Sequence, residues 1–155
     1  MLRLKGQIAG YFHRRAVCTV SEQVAGWRVP AEAAGVQPLV CTSGSAGTVV
    51  LTLLDSPAAT GYSFTYHGDF DWPGITLAIS TIRRYEALPW HMGTADYEHL
   101  AARSQAEGIP QLMLDGEPVS AGWDPDFAPA MTALGVALHE EAALDLLVAD
   151  LSRLT

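Results

Sequence analysis

Short apolar runs alternate with longer amphipathic stretches along this chain. "AVCTV" at 16–20 reads as a strand, and "QPLVCTS" at 37–43 as a buried one. Between them, 21–35 has the pattern of a weak helix, with Ser21 as its cap and Pro30 as its break. Residues 44–61 begin as a helix with Val49, Val50, Leu53 and Leu54 on one face, and Pro57 ends it. "YSFTYHGDFD" at 62–71 is rich in aromatic and β-forming residues and reads as a strand. Over 73–86, Ile75, Ile79 and Ile82 recur at helical spacing, and Pro73 suits a first helical turn. "ALPWHMG" at 87–93 predicts a short edge strand, since Pro89 cannot donate to a central ladder. Thr94 then caps a helix over 94–108, which Gly108 stops.

The periodicity weakens over 109–130, where four prolines and several acidic residues suggest a surface connection with one short element. "GVALHEE" predicts a short strand, and Leu144, Leu147, Val148, Leu151 and Leu154 form the clearest helical stripe in the chain. No internal repeat or low-complexity tract interrupts the order. Alternating β and α elements predict an α/β fold, with a mainly parallel central sheet and helices on both faces. In such sheets, ligands bind beyond the C-terminal ends of the strands.

The length of 155 residues suits one domain, here 16–155 after an N-terminal segment at 1–15. An apolar fraction of 49% with 17% charged residues is a globular composition. No apolar run reaches the roughly 18–20 residues that cross a bilayer, so no membrane partner is expected. The N-terminal segment has basic residues but no apolar stretch of secretory length. Cys18 and Cys41 lie in apolar contexts and read as buried free thiols of a cytoplasmic protein, although two cysteines alone do not settle a disulfide. The net charge of −8 argues against an unaided nucleic-acid binder. Metal ions or another polypeptide must offset that acidity if the domain touches DNA.

The candidate chemistry lies in "YHGDFDWPG" at 66–74. In an extended strand Asp69 and Asp71 point to one side and Phe70 to the other. Two neighbouring carboxylates raise each other's pKa unless a cation offsets them. A hard ion such as Mg²⁺ or Mn²⁺ prefers such oxygen ligands. Gly68 offers close approach, and the helix N-terminus after Pro73 favours an anion. The residues alone leave a plainer reading open, in which Asp71 caps the following helix.

"HGDFDWPG" resembles the Asp-x-Asp segment of the Toprim fold, as found in topoisomerase VI A subunits. Together with "PLVCTSG", "PWHMGTADY", "WDPDFAPAM" and "GVALHEEAALDLLVADL", it more closely resembles the C-terminal Toprim-like domain of JetD-type subunits of Wadjet plasmid-defence systems. The resemblance spans roughly residues 16–152. It implies a Toprim-like domain that cleaves double-stranded DNA with Mg²⁺ or Mn²⁺, as a nuclease directed by an SMC-like defence complex. Asp69 and Asp71 would hold the metal. DNA and the subunits of that complex are the implied partners, and a homodimer is compatible with them. Such proteins are longer and carry a separate N-terminal DNA-engaging region, so the expectation is an isolated domain or a reduced version.

A Toprim site also expects a Glu at the end of its first strand, where this chain has Thr19. Glu22 is the nearest carboxylate in sequence, about one helical turn on. Glu140 is a further candidate from a neighbouring strand end, with His139 beside it; a favourable place at a helix N-terminus is the plainer reading of Glu140 and Glu141. His67 can contact a phosphate or simply pack. "CTSGSAG" at 41–47 lacks the Lys-Ser/Thr of a P-loop and reads as a capped turn. Two other functions stay open: a catalytically inactive Toprim-like module that binds DNA or a partner, and a Toprim-like enzyme acting on another phosphorylated substrate.

Overall fold

The computed structural model describes residues 15–19, 39–41, 54–55 and 63–153. Strands β1 (Arg15–Thr19), β2 (Leu39–Cys41), β3 (Ser63–His67) and β4 (Leu88–Pro89) form one sheet in the order β2-β1-β3-β4. Each neighbouring pair in it is parallel. Helices α1 (Trp72–Tyr85), α2 (Thr94–Ala106), α3 (Phe127–Leu134) and α4 (Leu144–Arg153) accompany it. A small antiparallel pair, β5 (Leu112–Met113) with β6 (Val136–Ala137), completes a mixed α/β chain.

The apolar pattern explains most of these elements. Phe64 and Tyr66 on β3 are buried, as are Trp72, Ile75, Ala78 and Tyr85 on one stripe of α1. Arg83 and Arg84 in the last turn of α1 complement the helix dipole, and Glu86 ends the helix in the left-handed region at φ 50°. Pro89 lies on β4, which pairs with β3 over two residues at the end of the described strand order. That is the edge position its missing N–H requires.

Several sequence expectations change. The strand expected over 62–71 ends at His67, so regular strand alternation does not place Asp69 and Asp71. The chain instead makes one antiparallel bridge at Phe70, whose N–H donates to the Leu138 carbonyl at 2.8 Å. Thr94 is the first residue of α2 and Gly93 its N-cap. The cap acceptor is Asp124, whose carboxylate takes both the Thr94 N–H and its hydroxyl at 2.8 Å. Glu140 and Glu141 open a 3-10 turn, Glu140–Ala143, that precedes α4. The weak segment 109–130 holds β5 and the start of α3, and Phe127 and Met131 of α3 are fully buried core.

Phe70 joins this core through ring contacts with Tyr97 at 5.6 Å and Phe127 at 5.8 Å. The acidic loop is therefore anchored by its central residue. The helix expected over 21–35, Glu22 with it, lies outside the described residues, as do the side chains of Cys18 and Cys41. Of 44–61, Leu54 and Asp55 are described and are helical.

Candidate functional site

Asp69 and Asp71 follow the C-terminal end of β3 and flank the buried Phe70. Asp71 caps α1: its Oδ1 accepts the Gly74 N–H at 2.6 Å. Asp69 Oδ1 accepts the Glu140 N–H at 2.7 Å, from the turn that precedes α4. The Phe70–Leu138 bridge brings that turn to the loop. Arg103 braces it from α2, donating to the Ala142 carbonyl and pairing with Asp145 at 2.7 Å.

These bonds use Oδ1 of each aspartate and leave Oδ2 outside them. Burial pushes the Asp69 carboxyl above its ordinary value of 3.8. The Glu140 N–H pulls it down and the Asp71 charge pushes it up; His139 lowers and Glu141 raises it by smaller amounts, and the balance remains upward. The ionised carboxylate is thus held at an electrostatic cost that a cation would relieve. His139 is exposed, with Nδ1 3.8 Å from Asp69 Oδ1.

Gly74 is required by this closure. A Cβ there would lie 2.5 Å from the Asp69 carbonyl oxygen and 2.9 Å from Asp71 Oδ1. Gly68 has a different reason from the one its position suggested. The space for its Cβ is filled by the Tyr66 ring, with Oη at 2.8 Å, so this face of Gly68 is not open to a ligand. His67 does not join the aspartates either. It is fully buried, its Nδ1–H donates to the Trp90 carbonyl at 2.8 Å, and its ring meets the Phe70 edge. Burial lowers its pKa to about 4, which keeps it neutral at neutral pH.

The fold thus gathers Asp69, Asp71, His139 and the backbone of Glu140. The Glu140 side chain is buried, and the contact it makes with Asp69 is through its amide. Thr19 ends β1 in register with His67, two residues before Asp69. Among the described residues, no group of three or more His, Cys, Asp or Glu side chains is placed to hold a metal ion. No described helix is long and apolar enough to cross a membrane.

Sequence reasoning missed two polar groupings. One is Asp124 on the N-terminus of α2. The other places His91 between Asp96 at 3.0 Å and Asp150 at 2.7 Å. Their separations of 30 and 59 residues leave no local motif to find.

No curated protein and no solved structure matches the chain. One family profile does, over residues 12–151: that of the C-terminus of a protein of unknown function, DUF2399. That span takes in the sheet, the acidic loop and the turn that holds Asp69, and the chain belongs to the DUF2399 family.

Proposed function

We propose that this domain is a Toprim-like, Mg²⁺- or Mn²⁺-dependent nuclease that cleaves double-stranded DNA as part of an SMC-like plasmid-defence complex. The sequence resemblance to JetD-type subunits supplies the substrate and partners. The finer fold proposed with it is a central parallel sheet covered by helices on both faces.

The observation that carries the reading is the pair of carboxylates just beyond a parallel strand, each tied through one oxygen to a backbone N–H. Those two bonds fix the side chains without consuming Oδ2. The donors are oxygens, which suits a hard divalent ion, and the upward shift of Asp69 fits a site completed by positive charge. When bound, such an ion polarises a phosphodiester and stabilises the leaving oxygen. The chain's own part is to orient Asp69 through the Glu140 turn and Asp71 through the first turn of α1. The exposed His139 offers a further polar contact beside them.

Thr19 favours a second reading. It occupies the end of β1, where the resemblance expects Glu, and a hydroxyl supplies neither a charged ligand nor a general base at neutral pH. The alternative is a catalytically inactive DNA- or partner-binding module. Plasmid nicking in Mn²⁺ separates the two. The nuclease reading predicts weak nicking by the wild type, a gain with Thr19→Glu, and loss of that gain when Asp71→Asn is added. Binding of DNA without nicking by either the wild type or Thr19→Glu would support the module instead.

A further inference from the structure

His91 lies apart from the acidic loop, between β4 and α2, and its environment is unusual for a surface histidine. Its backbone takes φ 48°, in the left-handed region that a non-glycine residue enters at a cost. In that conformation the side chain meets two carboxylates. Nδ1 is 3.0 Å from Asp96 Oδ1 on α2, and Nε2 is 2.7 Å from Asp150 Oδ2 on α4. The imidazole is about one quarter exposed. Asp96 also accepts the Gly93 N–H at 3.1 Å, and Asp150 accepts the Trp90 indole N–H at 3.1 Å.

Ionised carboxylates only accept hydrogen bonds, so both ring nitrogens must carry a proton to satisfy both partners. A neutral imidazole has one N–H and one lone pair. On loss of a proton, one carboxylate faces that lone pair, and its contact turns from attractive to repulsive. We propose that protonated His91 is a clamp, released by rising pH, that fastens α4 to α2 and to the β4–α2 connection. The clamp does not depend on what Asp69 and Asp71 bind.

Among the described residues, the titratable or charged groups that face His91 are Asp96 from α2, Asp150 from α4 and the neutral, buried His67 from β3. Burial lowers the His91 pKa, but the hydrogen bonds and charges of Asp96 and Asp150 outweigh it. The result lies above the ordinary histidine value of 6.5. The clamp is therefore whole below that value and is lost as pH rises through the higher folded-state pKa.

Hydrogen exchange of the α4 amides, corrected for intrinsic rates and read against α1 in the same full chain, tests this between about pH 6 and about pH 9. Each unit by which the ring pKa is raised corresponds to about a tenfold increase in α4 opening across the titration. α1 should not follow. His91→Gln should remove the pH dependence, and His91→Arg, a permanent cation, should keep α4 protected at the higher pH. Should either variant fail to fold, the wild-type ring resonances decide: they should titrate above the ordinary histidine range. Titration at or below that range, or parallel changes in α1 and α4, would overturn the clamp.

Discussion

At Gly74, a hydrogen in place of a methyl group decides whether the acidic loop can close on α1. The atom nearest to an added Cβ is the Asp69 carbonyl oxygen at 2.5 Å, part of a backbone pinned by the bridge of Phe70 to Leu138. It cannot swing aside as a flexible side chain would. Gly74→Ala should destabilise the domain by about 1–3 kcal/mol, read from urea unfolding, because either the loop or the first helical turn must move. Gly122 is the control: a Cβ there meets nothing within 4 Å, so Gly122→Ala should cost far less. At this scale the sequence was legible where chemistry repeats locally. The Asp pair and the Asp71 cap both belong to "DFDWPG". The sequence left His67 open between a phosphate contact and the packed place it takes. The close approach of Tyr66 to Gly68 was not legible, since it depends on where a large ring packs beside the end of the strand.

Among the elements, α1 and α4 were readable because their apolar spacing is regular. α3 was not, since Pro129 and the acidic residues before it look like a connection. Yet proline is tolerated in a first helical turn, and Phe127 and Met131 are one turn apart on the buried side. The segment before α3 also supplies Asp124, which caps α2 from a distance. The Thr94 N–H holds the Asp124 carboxyl below its ordinary value of 3.8, working against partial burial. A lowered folded-state pKa means the contribution is present above the unfolded value and is lost as pH falls through the folded one. Asp124→Ala should therefore cost about 0.5–2 kcal/mol at neutral pH. In urea titrations, its deficit relative to the wild type should shrink in acid. An unchanged deficit would show that the carboxylate charge is not what caps the helix.

The molecule as a whole joins distant segments at the acidic loop. β3 delivers it, α1 takes one carboxylate as its cap, and the turn before α4 holds the other across a sequence separation of 71 residues. The parallel order of the described sheet puts the end of β1, with Thr19, in register beside the end of β3. On the proposed reading, the chain's net charge of −8 opposes DNA unless a counter-ion or a partner offsets it. The alternation of short strands and amphipathic stretches made the α/β class legible. The Phe70–Leu138 bridge, which assembles the site, joins residues too far apart for any periodicity to reveal. Mn²⁺ titration followed by electron paramagnetic resonance tests the proposed cation site most directly, comparing the wild type with Asp69→Asn/Asp71→Asn. Asparagine keeps the hydrogen-bond acceptors and the helix cap while removing the charges, so the variant should stay folded and be at least as stable without metal. The account predicts saturable Mn²⁺ binding by the wild type and its loss in the folded variant. Equal binding by the two proteins, or none by the wild type, would contradict it.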